Sequence, residues 1–581
     1  MRSALACLAL AAFGSVSCAP SEPRFPLKEP IWRDTDLESV SIACHPEPIH
    51  GDPGHVACTP RPYWSSQIWD GLDNTTFRPI SEGLGVYETG EATNVNSMDE
   101  VPDSSWFTNR IGSHAMTPDE IALGACDLSL VLHPDTAADG TWIIDHGKTE
   151  GITPGFRVEI GGKEYLFKQD DPDQPELASA AQTIGLAIYH AAGFNTPCEQ
   201  VAIFKPSLLK LLPNLRYKWG NALAVEKAFD QNALDGIVKK SPKSGDRIRM
   251  QASAWIMGHS IGPFRYTDTR EDDPNDVVAH QNRRELRGSR LIAAWIDHVD
   301  AREGNSLDTW IADRPDAHDS SPGHVVHYLL DTSEALGPKW AQGDMLWRRA
   351  GYGYLLFDWA GYASDLLALG IRVHVWDYVE KTPGHEIFLY FNAEDFVPDE
   401  WRPAYENAAF TRMTECDAAW MARILARFTP EIIEALARRG QFTNAKNTEY
   451  VTDVLERRLQ RILERYLTGL SPVTDVRIAD GRLLCALDLA EWRGLRKADA
   501  FRYAAWSSRS GPLAVERSKL GRICVSLPHV APDGNVADDS PARYVIVRVA
   551  DGVAQGPLIA HLYDLGPSRG YRLVGLQRPP R

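Results

Sequence analysis

The sequence predicts an α+β fold followed by a small, separate β-sandwich. Three observations lead to this prediction. Strand-like segments surround one helix-like segment between residues 141 and 204, the clearest amphipathic helices lie between residues 284 and 467, and short alternating strands follow Pro472. A chain of 581 residues is too long for one ordinary hydrophobic core, so we expect two or three domains.

The irregular region from residue 20 to 135 is expected to wrap around the next domain. Residues 20 to 60 are rich in Pro, Glu and His and show little periodicity. Trp64, Trp69, Trp106 and Phe107 follow among turn-forming residues. We expect these aromatic side chains to fasten the region by packing.

The main domain is predicted to begin at about residue 136 with a β-rich part. Two strands, TWIID and FRVEI, flank a loop at residues 148 to 154, and a glycine pair at 161 and 162 forms a hairpin turn before the strand EYLFK. Apolar residues at helical spacing predict a helix over residues 176 to 192, and CEQVAIF then returns to a strand pattern.

Helices dominate the second half of this domain, which we expect to end near residue 471. A helix from about 284 to 299 is followed by two short strands, SLDTWI and HVVHYLLD, with a turn-rich insertion between them. Further helices are predicted at 417 to 427, 430 to 439 and 449 to 467. Residues 474 to 581 carry the strands RLLCALDL, GRICVSL, RYVIVRV and YRLVGL, which predict the β-sandwich, an interaction or packing module.

The charge balance argues against nucleic acid as a partner. The chain has 61 basic and 78 acidic residues and a formal net charge of -17, which repels a polyanion at long range. No internal apolar run reaches the roughly 18 residues that a membrane-spanning helix needs. We therefore expect neither nucleic-acid binding nor an internal membrane span.

The first 19 residues have the pattern of a secretory signal peptide. Arg2 gives a positive start, residues 4 to 14 are a short apolar core, and small residues follow. Ser15 to Cys18 also resemble a bacterial lipobox, in which Cys18 would carry a lipid anchor; cleavage after Ala19 would instead release the chain. We expect export to the periplasm or outer envelope, with membrane attachment through Cys18 left open.

Nine cysteines occur without a Cys-x-x-Cys pair, so a zinc site of paired cysteines is not predicted. In an oxidising compartment Cys44 with Cys58 could close a short loop, and Cys485 with Cys524 could join two strands. The alternative is that most of the cysteines are small buried hydrophobic residues. Two of the nine belong to the signal segment, which leaves seven and at least one unpaired thiol.

Polar residues in the main domain could form a phosphoryl-transfer site. Such a site needs a backbone lid over phosphates, a lysine on a neighbouring strand, an aspartate near the acceptor hydroxyl, and an Asn and an Asp that hold Mg2+. The chain offers candidates in this order. The turn from Gly151 to Gly155 is the candidate lid, and Lys168 at the end of a strand is the candidate lysine, with Glu176 as its candidate partner. Asp300 is the candidate catalytic aspartate, and Asn305 and Asp331, which follows a hairpin, are the candidate Mg2+ ligands.

The joint placement of these residues carries the hypothesis, because an Asp followed five residues later by an Asn arises about once by chance in such a chain. A hairpin returns its ends to neighbouring positions, so Asn305 and Asp331 can meet on one side. Three alternatives remain open. Asp300 could be a polar residue at a helix end, and Asp297 could be the catalytic acid in its place. Glu176 could be an acid in the first helical turn, where the helix dipole favours a negative charge.

Roughly residues 140 to 335 resemble the protein-kinase-like superfamily, especially its atypical branches: HipA-like bacterial kinases, phosphoinositide lipid kinases and CotH-type secretory-pathway kinases. The segment DAREGN resembles the catalytic loop D-x-H-x-x-N of the first two, with Arg302 in place of the histidine, and DTSEALG stands where D-F-G would be. His298 matches the first position of H-R-D, with Val299 in place of the arginine.

The resemblance implies a two-lobed domain over residues 136 to 471, with a small β-rich first lobe and a helical second lobe. It also implies Mg2+ and ATP, with Asp300 as the catalytic aspartate, Asn305 and Asp331 as Mg2+ ligands, and Lys168 as the phosphate lysine. The implied function is an exported kinase-like phosphotransferase acting on an unknown protein or small-molecule acceptor. The alternative is an inactive kinase-like envelope protein that binds partners or serves as a scaffold.

Overall fold

The computed structural model describes residues 24–47, 54–84, 90–149, 151–218, 225–317, 319–337, 339, 343–355, 357–369, 371–530 and 536–579. The predicted signal peptide and Cys18 lie outside this range. The fold mixes helices and strands, as the sequence predicts. No helix of the described part is long and apolar enough to cross a membrane.

The N-terminal region contains only short elements. They are β1 (His45–Pro46), β2 (Val56–Ala57), α1 (Gln67–Leu72), a π-helical turn (Asp73–Phe77), α2 (Arg78–Leu84) and α3 (Pro118–Leu123). Between these elements the chain packs on the rest of the molecule. The Trp106 ring is buried and stacks on His327 with ring centroids 3.5 Å apart.

Asp99 joins this N-terminal region to three distant parts of the chain. Its carboxylate lies 2.5 Å from the guanidinium of Arg284, 2.6 Å from that of Arg578 and 3.6 Å from that of Arg423. The three arginines are buried, so a single carboxylate compensates much of their charge.

A seven-stranded sheet follows, built mostly from antiparallel neighbours. Its strands are β3 (Trp142–Gly147), β4 (Gly155–Ile160), β5 (Lys163–Lys168), β6 (Glu199–Phe204), β7 (Leu209–Leu211), β10 (Lys243–Ser244) and β11 (Arg247–Ala254). The order is β10-β11-β5-β4-β3-β7, and β6 also pairs with β11. A separate pair, β8 (Leu215–Tyr217) and β9 (Lys227–Phe229), lies beside it.

The large helices share one hydrophobic cluster, which also buries aromatic side chains of the N-terminal region. The helices of the described chain between the first sheet and residue 470 are α4 (Leu177–Ala192), α5 (Gln231–Lys240), α6 (Arg284–Ile296), α7 (Asp344–Arg349), α8 (Trp359–Leu367), α9 (Ala408–Thr411), α10 (Glu415–Leu425), α11 (Pro430–Arg439) and α12 (Ala445–Tyr466). The predicted helices at 176 to 192, 417 to 427, 430 to 439 and 449 to 467 are confirmed to within a few residues.

A three-stranded antiparallel sheet connects α6 to the later helices. It consists of β12 (His259–Ser260), β13 (Ser306–Ala312) and β14 (Gly323–Leu329) in that order. The last two strands form the predicted hairpin, with Ser306 opposite Leu329. The two ends of this hairpin therefore lie side by side, close to the C-terminal end of α6.

The C-terminal region contains two antiparallel sheets that bury one shared hydrophobic cluster. Its elements are β15 (Val473–Ala479), β16 (Leu483–Asp488), α13 (Leu489–Trp492), β17 (Ala504–Ser507), β18 (Gly511–Leu513), β19 (Val515–Arg517), β20 (Arg522–Ser526), β21 (Tyr544–Ala550), β22 (Leu558–Asp564) and β23 (Tyr571–Gln577). The four strands predicted here correspond to β16, β20, β21 and β23.

Three disulfides cross-link the described chain. Cys44–Cys58 and Cys485–Cys524 confirm the two predicted pairs. The third, Cys126–Cys198, ties the N-terminal region to the start of β6 and was not predicted, because its partners are 72 residues apart. The remaining described cysteine, Cys416, is free.

Candidate active site

Lys168 and Asp331, which are 163 residues apart in the chain, meet in a salt bridge. Lys168 ends β5, and Asp331 follows β14 by two residues. Lys168 Nζ lies 2.8 Å from Asp331 Oδ2. Burial opposes both charges, but their attraction outweighs burial, so the pKa of Lys168 is raised and that of Asp331 is held well below its usual range.

Helix α4 fixes the segment that carries Asp331. Gln182 Nε2 donates to the Leu330 carbonyl at 2.7 Å, and Gln182 Oε1 accepts from the Thr332 N–H at 2.7 Å. A Cβ at Gly185 would lie 2.6 Å from Thr332 Oγ1, so only glycine lets the helix approach this closely. The position of Asp331 is therefore set by packing and hydrogen bonds of its neighbours as well as by Lys168.

Glu199, at the start of β6, is a buried acid beside Lys168 that the sequence analysis missed. Its carboxylate accepts hydrogen bonds from Gln182, Gln251 and Ser253. Burial raises the pKa of Glu199 to about 7, although Lys168 and the hydrogen bonds favour its ionised form. An acid at a strand position that alternation assigns to the interior is the signal that could have identified it.

Glu176 does not pair with Lys168, so that part of the prediction is wrong. Glu176 precedes α4 with a left-handed backbone, φ +71°, and its Oε2 accepts from the Thr443 N–H at 3.2 Å. Its carbonyl accepts from Arg249 Nη2 at 3.3 Å. The left-handed turn directs Glu176 toward the connection between α11 and α12, and Glu199 is the acid that lies beside Lys168.

Asp300 and Asn305 contact each other in the loop after α6. The helix ends at Ile296, earlier than the predicted residue 299. Asn305 Nδ2 donates to the Asp300 carbonyl at 2.6 Å and to Oδ2 at 2.8 Å, and Arg302 Nε donates to Oδ1 at 2.8 Å. Burial raises the pKa of Asp300, Arg302 and Asn305 oppose this rise, and nearby Asp331 adds to it.

Asp297, the alternative acid, has a structural role. It caps α6 with a left-handed backbone, φ +56°, and its Oδ1 accepts from Trp401 Nε1 at 2.8 Å. The left-handed backbone ends the helix early and turns the chain toward Asp300. Asp297 thereby helps to position the loop that carries Asp300 and Asn305, and its own carboxylate bonds to Trp401 instead.

Glu334 is a second acid that the sequence analysis missed. Burial, Asp300 and Asp331 together raise the pKa of Glu334 well above its usual range, and Arg302 opposes them. Its Oε2 is buried and has no hydrogen-bond partner among the described residues. Its place three residues after Asp331 in DTSEALG was the only sequence signal.

His298 lies behind the carboxylates with the ring nearly enclosed. Its Nδ1 is 3.3 Å from Tyr189 Oη. Burial lowers the pKa of His298 to about 4, although Asp331 favours the charged form. The imidazole is therefore neutral at neutral pH and packs under the loop that carries Asp300.

The two glycines predicted to form a phosphate lid have different constraints. Gly155 lies opposite Lys168 across β4 and β5, and a Cβ there would be 2.4 Å from the Phe167 carbonyl oxygen. Gly151 has φ +77°, and the loop around it is held by a hydrogen bond from Lys148 Nζ to the Thr153 carbonyl at 2.9 Å. Close strand packing explains Gly155 without a ligand.

The donor set of this cluster is chemically suited to Mg2+. Asp300, Asn305, Asp331 and Glu334 offer only oxygen ligands to a hard cation, and the buried Glu334 oxygen without a partner fits such a role. No group of three or more His, Cys, Asp and Glu side chains in the described chain is already arranged to hold a metal ion. A cation would therefore require side-chain adjustment.

Two sizeable cavities of the described chain lie away from Lys168. One of about 830 Å³ lies between residues 41–63 and 263–280, and another, of about 500 Å³, reaches Glu303 in the Asp300 loop. Neither is lined by Lys168, Asp300, Asn305 or Asp331.

Comparisons with known proteins give little further information. No family model and no curated protein matches the chain. Among solved structures, the crystal structure of a Helicobacter pylori proinflammatory kinase, CtkA, matches with 9% sequence identity and a TM-score of 0.26, covering 59% of this chain and 97% of that chain. A likeness of this size carries no argument about fold or activity.

Proposed function

We propose that the chain is an exported, kinase-like phosphotransferase that uses Mg-ATP. The contact between Lys168 and Asp331 carries this proposal. Two residues 163 positions apart in the chain lie 2.8 Å from each other, and Asp331 is close enough to Asp300 to add to the rise in its pKa. A lysine from one sheet that meets an Asp and an Asn loop from another part of the chain is the arrangement that phosphoryl transfer requires.

Each residue takes one role in the proposed reaction. Lys168 binds phosphate oxygens once nucleotide separates it from Asp331. Asn305, Asp331 and Glu334 would hold Mg2+, which neutralises phosphate charge when bound. The acceptor oxygen bonds to the γ-phosphorus while the bond to the bridging oxygen breaks and ADP leaves. Asp300 takes the acceptor's hydroxyl proton, and its raised pKa favours that step.

The proposed architecture is a two-lobed domain over residues 136 to 471 and a β-sandwich over 474 to 581. The seven-stranded sheet with α4 serves as the first lobe, and α6 with the later helices serves as the second. Buried Arg249 supports contact between them, because it lies 3.4 Å from Asp170 and donates to the Gly440 carbonyl at 2.6 Å. The C-terminal sheets, with one shared core, support the sandwich.

Export to the periplasm or outer envelope is supported by the N-terminal sequence and by the cysteines. Three disulfides in one chain are typical of an oxidising compartment. The proposal leaves open a lipid anchor on Cys18, which lies outside the described range.

The alternative is an inactive kinase-like scaffold or binding protein of the envelope. Hydrogen bonds among the residues of the site itself favour this alternative. Lys168 is satisfied by Asp331, and Asn305 is satisfied by Asp300, so these side chains need no ligand, whereas the partnerless Glu334 oxygen argues for one. The cavities of about 830 Å³ and 500 Å³ also lie elsewhere.

Phosphate transfer from γ-labelled ATP tests the proposal. The purified full chain with Mg2+ should release labelled phosphate to an acceptor or to water, and Lys168→Met should lower the rate on the order of 100-fold. Lys239→Met, at an exposed helix end, should leave the rate unchanged. Equal rates for the two variants would favour the scaffold.

A further inference from the structure

A cavity of about 500 Å³ beside the Asp300 loop has the size of a small-molecule site. One wall is formed by α1, the π-helical turn and α2, and the other by residues 265 to 268 and Glu303. π-Helical turns are rare and occur frequently at functional sites. The cavity therefore joins the N-terminal region to the loop that carries the proposed catalytic aspartate.

Two buried carboxylates line this cavity without a salt bridge to any described side chain. Asp70 is 3% exposed and Glu303 is 4% exposed. The contacts of Glu303 are long, at 3.5 Å from Tyr63 Oη and 3.3 Å from the Tyr266 N–H. Burial raises the pKa of Asp70, and burial together with Asp70 raises the pKa of Glu303 to about 7. A cation bound between the two would favour their ionised forms.

An unpartnered amide oxygen points to the same kind of ligand. Asn74 lines the cavity and is 6% exposed. Its Nδ2 donates to the Asp70 carbonyl at 2.8 Å, but Oδ1 has no hydrogen-bond partner in the described chain. A ligand with N–H or O–H donors would satisfy this oxygen together with the two carboxylates.

Two arginines face four acids in the lining of this cavity. Arg78 pairs with Asp73 at 2.7 Å and approaches Asp268 at 3.7 Å. The Arg265 guanidinium lies over the Tyr63 ring, 4.1 Å from its centroid, and attracts Asp70 and Glu303 without a salt bridge to either. The lining therefore keeps an excess of negative charge for a ligand.

Aromatic rings favour an organic cation over a metal ion. Trp69 and Phe77 line the cavity, each about half exposed, with centroids 5.6 Å apart. Ring faces attract ammonium groups, an effect worth about a two- to fivefold gain in affinity at such exposed sites. No metal-binding group of acids and histidines exists among the described residues.

We propose that this cavity binds a small organic cation, an ammonium that also carries a hydroxyl, and that this is the phosphoryl acceptor. The second clause rests on the proposed function. Glu303 lies between Asp300 and Asn305 in the chain, and Tyr405 lies within electrostatic reach of Asp70, Asp300 and Glu303. An ammonium held at Asp70 and Glu303 would therefore lie beside the loop that carries Asp300.

Choline and its neutral counterpart 3,3-dimethylbutan-1-ol test the charge requirement on the full chain. We expect saturable calorimetric binding of choline in the millimolar range and about tenfold weaker binding of the neutral alcohol. Asp70→Asn should weaken choline binding about tenfold, and Phe77→Leu, tested separately, should weaken it about threefold. Asp499→Asn, at an exposed acid outside the cavity lining, is the matched control and should bind choline like the parent.

The outcomes separate the two proposals. Equal binding of choline and the neutral alcohol, or no binding of either, overturns the cavity assignment, and so does a loss in Asp499→Asn as large as in Asp70→Asn. Mg-ATP binding is measured in the same samples. Choline binding without nucleotide binding keeps the cavity and rejects the phosphotransferase, whereas nucleotide binding without choline binding rejects only the cavity.

Discussion

Removing the charge of Asp331 should take from Lys168 its salt-bridge partner and leave Glu199 as the acid beside it. The Lys168 side chain is 14% exposed and that of Asp331 is 28% exposed. Losing one partner of a fully buried pair costs about 3–5 kcal/mol, and the partial exposure of Asp331 reduces our expectation to about 2–3 kcal/mol. Asp331→Asn keeps the size of the side chain, so this loss reports on charge.

A double-mutant cycle isolates the pair. Calorimetric unfolding is compared for the parent, Asp331→Asn, Lys168→Met and the double variant, with Lys239→Met as an exposed control. Since the double variant strands no charge, its loss should fall below the sum of the single losses by about 1.5 kcal/mol or more. Additivity within about 0.5 kcal/mol would show that the two side chains do not meet and would refute the site.

Three further variants test other parts of the structure. Glu199 should keep its proton in the folded chain up to about pH 7, whereas the unfolded chain loses it near 4.5, so its contribution to stability falls as pH rises through this window. Chemical denaturation measures the free energy of unfolding at pH 4.5 and at pH 8. Between these two values the parent should lose about 3 kcal/mol more than Glu199→Gln does. The control variant Glu159→Gln, at an exposed position, should follow the parent. Asp99→Asn should cost about 3 kcal/mol in the same assay because three buried arginines lose a shared counter-ion, although Arg284 keeps Asp417 and Arg423 keeps Glu100. An unchanged midpoint would contradict that pairing. Replacing Cys126 and Cys198 by Ala together should cost about 4 kcal/mol from the 72-residue loop, and reductant should then have a smaller effect on the melting temperature than in the parent.

The sequence predicts what depends on local pattern. Alternation and helical spacing place β5, α10 and α11 within about two residues of where they lie. Hairpin geometry correctly brings Asp331 back beside Asn305, because strand pairing turns a distant position into a neighbouring one. Lys168 was found because a charged residue ends an otherwise apolar strand.

The sequence could not predict what depends on long-range packing. Glu199 and Glu334 are ordinary acids in the sequence, and only burial beside other charges distinguishes them. Glu176 was misassigned because a left-handed turn, invisible in the pattern, reverses the direction of its side chain. The Asp70 cavity exists only because a short-helix region with no clear periodicity docks on the Asp300 loop.

The most direct test of the central claim is calorimetric titration of Mg-ATP into the full chain. The account predicts saturable one-to-one binding that Asp331→Asn weakens at least on the order of tenfold and that chelation of Mg2+ also weakens. Absence of binding to the folded parent at millimolar Mg-ATP, or equal binding by Asp331→Asn, would contradict the claim that Lys168, Asp300, Asn305 and Asp331 form a nucleotide site.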